Sequence, residues 1–157
     1  MRLASCTEQR QAEVFAEGLV PIGEERTEEG PLGGGLVTMR RDARPQLSNV
    51  NYAFDVGEQL IRISTTDDRA KVANLRRDPR ASFHVSSRDF WTYALAEGIA
   101  DLSPVADDPD DATVEELIDL YRAVQGEHPD WPDYRAAMVR DHRLVVRMRV
   151  ERAYGLT

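Results

Sequence analysis

The chain is poor in several residue types, and each shortage narrows what it does. It has one cysteine, Cys6, in 157 residues, so no internal disulfide can form and a reducing interior is the simpler expectation. It has no run of about 18 apolar residues and no hydrophobic signal core at its N-terminus, which leads us to expect a cytoplasmic protein. Histidine is scarce too: His84, His128 and His142 show no ligand spacing, and without a second cysteine no metal site is expected. No serine stands in a GxSxG context, so a nucleophile elbow is not in view. Net positive charge is missing as well. At −8 overall, the chain does not offer the broad basic face that a nucleic-acid backbone or an anionic membrane requires. A local basic patch in so acidic a protein points instead to a small anionic ligand.

The scarcest residue is lysine. Of 20 Lys and Arg residues only Lys71 is a lysine. A chain this biased to arginine marks a place where a compact point charge is wanted, as phosphate binding often does. Lys71 lies in the stretch around which the rest is organised, LIRISTTDDRAKVANLRRDPR from Leu60 to Arg80. Leu60 to Ser64 reads as a strand, and Thr65-Thr66-Asp67-Asp68 is a cluster of capping residues. A helix from Arg69 to Arg77 follows, with Val72, Ala73 and Leu75 inward, and Asp78-Pro79 ends it. Arg69 and Lys71 then fall at the start of the helix, where unpaired N–H groups and the dipole already favour an anion. The plainer alternative is that Asp67 and Asp68 cap the helix and the two cations are solvated or paired with them.

Elsewhere the pattern predicts a helix over Thr7 to Glu17, then a Gly- and Pro-rich loop from Gly18 to Gly35. Leu36 to Arg40 and Gln46 to Phe54 read as strands joined by a tight connection, with Gly57 turning the chain into the strand that ends at Ser64. Ala81 to Val85 and Phe90 to Leu102 are further strands, and Leu144 to Val150 closes the chain. An acidic linker, Pro104 to Asp111, leads to a helix from Val114 to Val124 capped by Thr113, and a second helix runs from Asp130 or Pro132 to Arg140. About six strands with tight connections and helices gathered late favour one domain, 1–157, built as an antiparallel barrel with packed helices.

One constellation carries chemistry. Ser64, Arg69 and Lys71 form a phosphate clamp. Gln46, Ser48 and Asn49 bring polar groups along one strand, suited to the edge of a planar heterocycle. Trp91 and Tyr93 alternate on another strand, available for stacking or for a subunit contact. No strong acid–base pair accompanies them, so the expected role of the protein is to position a phosphorylated planar cofactor that does the chemistry.

The segments RPQLSNVNYAFD, ISTTDDRAKVANLRRDPRASFHV and DFWTYALAEGIADL carry a family resemblance. The chain resembles the flavin-binding split β-barrel superfamily typified by pyridoxamine 5′-phosphate oxidase, and within it the actinobacterial branch that binds the deazaflavin coenzyme F420. The late segment DPDDATVEELIDLYRAVQGEHPDWPDYRAAM and the closing RAYGL are similar to that branch as well. The resemblance runs from about Leu36 to the end, with Ala43 standing where the family hairpin usually has glycine. It implies a mainly β (α+β) fold, a six-stranded antiparallel split β-barrel. It also implies cofactor contacts from Arg69 and Lys71 to phosphate, with Ser64 and Thr65 assisting. Gln46, Ser48, Asn49 and Val50 would lie along the ring, Asn74 would face the ligand, and Trp91 and Tyr93 would come from the partner of a homodimer with two sites at its interface. The implied activity is hydride transfer between C5 of F420 and a small organic substrate. An FMN-dependent pyridoxamine 5′-phosphate oxidase-like enzyme, or a non-enzymatic flavin, deazaflavin or heme carrier, are the alternatives.

Overall fold

The structure is a computed structural model that describes residues 33–86 and 90–156, without the side chain of Leu156. The expected N-terminal helix over Thr7 to Glu17 lies outside the described residues, as do Cys6, Ser87, Arg88 and Asp89. The described chain runs β1 (Gly33–Met39), β2 (Pro45–Asn51), β3 (Ala53–Asp55), β4 (Leu60–Thr66), α1 (Ala70–Arg77), β5 (Arg80–Ser86), β6 (Tyr93–Leu102), α2 (Ala112–Gln125), α3 (Trp131–Arg140) and β7 (Arg143–Leu156). All seven strands pair antiparallel in one sheet of order β2-β1-β5-β6-β7-β4-β3.

That order dictates the shape. The outermost strands of the sheet are β2 and β3, yet only Tyr52 separates them in the chain. The sheet must therefore curl until its two margins lie within one residue of each other, which makes it a split barrel. Tyr52 is buried at this junction and meets the Phe83 ring edge-on at 4.7 Å between centroids. The Tyr52 break is why one expected strand, Gln46 to Phe54, is two, and why the strands number seven rather than six.

Alternation fills the barrel. Leu36, Ile61, Ile63, Ala81, Phe83, Val85, Leu144, Val146 and Met148 point inward and are buried together, as period-two patterning requires. Helix α1 closes one end by sending Val72 and Leu75 into the same core. Ala73, expected inward, is exposed, and the third buried position is Asn74. The outer face of β4 and β7 carries a second layer. There α2 and α3 pack Val114, Leu117, Ile118, Val124, Tyr134 and Met138 around Val145. Glu116 fastens α2 to the sheet by accepting from Arg147 Nε at 3.0 Å and pairing with Arg62 at 3.4 Å.

Several element ends differ from expectation: β6 begins at Tyr93 rather than Phe90, so that Trp91 precedes the strand, and β1 begins at Gly33, inside the expected loop. Helix α2 is capped by Asp111, whose carboxylate accepts from Val114 N at 2.7 Å; the Thr113 hydroxyl donates instead to Pro104 O at 3.0 Å. Strand β7 continues six residues past Val150, because it stays paired to β6 as far as Tyr93↔Leu156 after a bulge at Glu97/Gly98. Ala43, in the β1–β2 connection, has φ 62°, the left-handed conformation in which glycine carries no penalty. Among the described residues no helix is long and apolar enough to cross a membrane.

Candidate cofactor site

A cleft of about 610 Å³ opens where the end of β4 hands the chain to α1. One wall is strand, from Asn49, Val50 and Asn51 of β2 and from Ser64, Thr65 and Thr66 of β4. The facing wall is helical and mostly apolar, with Leu117, Leu120, Tyr121 and Val124 of α2 and Tyr134 and Met138 of α3. Arg69, Lys71 and Arg143 complete it. Among the described residues no aspartate or glutamate lines this cleft, although the chain as a whole carries −8.

The turn before α1 explains how the cations come to face the cleft. Helix α1 has Arg69 as its N-cap, in extended conformation (φ −76°, ψ 141°), and no side chain caps it. The expected capping residues are occupied elsewhere. The Thr66 hydroxyl donates to Asp68 Oδ1 at 2.5 Å, and Asp67 pairs with Arg76. The Asp67 N–H donates to His142 O at 3.0 Å, which ties this turn to the one before β7. Lys71 is thus left without a carboxylate partner among the described residues. Burial pushes its pKa below the ordinary lysine value, and the neighbouring Arg69 charge pushes it the same way. An ammonium that is partly desolvated and set beside another cation is unfavourable until an anion joins it.

Two tyrosines line the helical side. Tyr134 donates to Leu117 O at 3.1 Å, and burial raises its pKa to about 12 against the opposing effect of Arg143. It is therefore a neutral wall residue across the ordinary pH range. Tyr121 packs edge-on against Tyr134 at 5.0 Å and Trp131 at 5.7 Å, which stiffens the α2–α3 corner.

Of the residues singled out from the sequence, Asn49, Val50, Ser64, Thr65, Arg69 and Lys71 are brought together in this cleft. Gln46 and Asn74 are not. They line an adjoining groove with Arg40, Arg41 and Arg77, and they are bonded to each other. Asn74 Nδ2 donates to Gln46 Oε1 at 2.9 Å and to Thr38 Oγ1 at 3.1 Å, so that α1 is moored to β1 and β2. Ser48 shares the half-buried face of β2 with Gln46, whereas Asn49 lies on the opposite, exposed face. Trp91 and Tyr93 stand outside the cleft lining, both exposed, with Tyr93 stacked on His84 at 6.1 Å. The sequence reading missed Asn51, Thr66, Tyr121, Tyr134 and Arg143. Asn51 was within reach of strand alternation from Asn49. Arg143 was not, because it meets Thr66 only through the pairing of β4 with β7.

Comparison with known proteins bears on the family and the fold. The profile of the pyridoxamine 5′-phosphate oxidase family matches residues 30–157. The chain belongs to that family. Solved structures extend the likeness. An F420 reductase is 28% identical over 86% of this chain and 98% of its own, with a TM-score of 0.58. The conserved hypothetical protein Rv2991 of Mycobacterium tuberculosis is 24% identical over 98% of this chain and 85% of its own, at a TM-score of 0.64. An FAD-binding protein from Mesorhizobium loti, 16% identical over 79% of this chain and 82% of its own at a TM-score of 0.54, shares the fold. The family is mostly one of oxidoreductases, and its members bind flavin-type cofactors.

Proposed function

We propose that the chain is an F420-dependent reductase that moves a hydride between the deazaflavin and a small organic acceptor. The observation that carries the reading is the pair of cations at the start of α1, Arg69 and Lys71, in a cleft that no carboxylate among the described residues lines. Such a site suits a phosphate group, and the ring would extend from it along the polar β2 wall at Asn49 and Asn51. The preference for F420 over FMN rests on the sequence segments quoted above and on the similarity to an F420 reductase. A bound deazaflavin supplies hydride chemistry. The protein's own part is to hold the phosphate, orient the ring and shield one face with the apolar α2–α3 wall.

The active unit in this reading is a homodimer. The exposed apolar side chains support that: Leu47 is 70% exposed, Phe90 78% and Trp91 77%, and Tyr93, Ile99 and Tyr154 are exposed as well. A second copy would take some of these side chains out of water. FMN is the competing cofactor, since its phosphate suits the same cations.

The test is a titration of purified protein with F420 and with FMN, followed by fluorescence, beside the absorbance spectrum of the protein as isolated. Saturable binding of F420 at micromolar concentration, tighter than FMN, supports the proposal. Tighter FMN binding overturns the F420 assignment, and binding of neither overturns the reading as a whole.

A further inference from the structure

The cleft contains one cationic residue whose role the family resemblance did not supply. Arg143 opens β7, directly opposite Thr66 at the end of β4. It follows His142, which holds a left-handed φ of 50° and whose carbonyl accepts from Asp67 N–H. The β7 turn and the turn that presents Arg69 and Lys71 are therefore stitched together by backbone, and Arg143 enters the same cleft from the other side.

Its bonding is incomplete in a telling way. Nη1 donates to Ser64 Oγ at 3.2 Å. Nε is buried and has no acceptor among the described residues. No carboxylate there pairs with the guanidinium, although arginines elsewhere on the sheet, Arg62 and Arg147, are paired with acids. A half-buried guanidinium whose buried Nε finds no acceptor among the described residues carries a cost in free energy. The bond to Ser64 has a further effect. Because a hydroxyl oxygen that accepts from Arg143 keeps its own proton to donate, Ser64 is set as a donor toward the cleft.

We propose that Arg143 is the third cationic ligand of the cofactor's anionic group, and that it acts as a unit with Ser64, the guanidinium meeting the anion and fixing the Ser64 hydroxyl as a second donor to it. This rests on the reading of the cleft as a phosphate-bearing cofactor site. It makes the anion site a product of three chain segments, the end of β4, the start of α1 and the start of β7. It also predicts that discrimination between a phosphorylated cofactor and its phosphate-free form depends on Arg143.

The experiment measures dissociation constants for two pairs, FMN against riboflavin and F420 against the phosphate-free 8-hydroxy-5-deazariboflavin. The proteins are the wild type, Arg143→Gln, Arg143→Lys, Ser64→Ala, the double variant Arg143→Gln/Ser64→Ala, and Lys71→Ala as reference, with unfolding midpoints recorded for each. Arg143→Gln is expected to weaken the phosphorylated member of the binding pair by roughly 10- to 100-fold while the phosphate-free member changes less than about twofold. Arg143→Lys should recover part of the loss, because charge is kept but the fork geometry is not. The double variant should fall short of the product of the single losses, as expected for two groups acting together. Equal loss for both members, or no loss, overturns the role of Arg143; additive losses overturn its coupling to Ser64. If Lys71→Ala loses phosphate discrimination and Arg143→Gln does not, this inference fails and the reading of the cleft stands. If the wild type binds no phosphorylated form more tightly than its phosphate-free form, both fall.

Discussion

Lys71 should affect binding and stability in opposite senses, and Lys71→Met isolates the two. With ligand, the substitution removes a charged hydrogen-bond partner from the anion, a loss of about 1.5–3 kcal/mol, or roughly 10- to 150-fold in dissociation constant. Without ligand the same ammonium is a burden. Burial and then the Arg69 charge lower its pKa in the folded chain, so folding disfavours the charged form. The unfolded chain binds more protons than the folded one between that lowered pKa and the free-lysine value of 10.5. Stability due to Lys71 therefore rises with pH through that window, and the penalty is fully present below it. Methionine keeps the aliphatic stem and removes the charge. Ligand-free Lys71→Met should be as stable as the wild type or slightly more so at neutral pH, and should lose this part of the alkaline gain. The assay is a set of urea unfolding curves from pH 7 to 10.5 beside a cofactor titration at pH 7. A lower unfolding midpoint at neutral pH would show that the ammonium has a structural partner, and the argument for an anion site at α1 would be refuted.

Three further outcomes follow from the fold. A Cβ at Gly34 would lie 2.7 Å from Phe83 Cε1, so Gly34→Ala should cost about 1–3 kcal/mol by overpacking, measured by urea unfolding. Ala43→Gly relieves a left-handed φ of 62° and should raise stability by about 1 kcal/mol, read as a higher denaturant midpoint at unchanged slope. Asn74→Leu strips Thr38 and Gln46 of their donor and should cost about 1–3 kcal/mol, visible in thermal unfolding and in faster amide exchange of α1.

Local pattern carried most of the fold. Apolar alternation located β1, β4 and β5 to within a few residues, and helical spacing located α2 and α3. What it could not carry was anything set by distant pairing. The junction at Tyr52 depends on the sheet curling, so nothing near that residue announces a break. Asn74 occupies an inward position on α1 because Thr38 and Gln46, 36 and 28 residues away, complete its bonds. A hydrophobicity pattern places Ala73 there instead. The same limit divides the candidate site. Arg69 and Lys71 stood out because they are neighbours at a recognisable helix start. Arg143 lies 79 residues from Ser64 in a stretch that reads as an ordinary edge of a strand. Asn49 and Gln46 were grouped by proximity in sequence, yet an odd separation along a strand sends them to opposite faces.

Tyr52 has a bearing on how the cleft meets a ligand. It follows directly on Asn49, Val50 and Asn51, and its ring is lodged against Phe83 inside the barrel. The polar side of the cleft is in effect bolted to the hydrophobic interior, so it cannot swing outward without drawing an aromatic anchor through the closure of the sheet. On the proposed reading, a cofactor arriving there would find a surface whose shape was decided when the chain folded, and the tightness of its binding would owe little to any later adjustment of that strand.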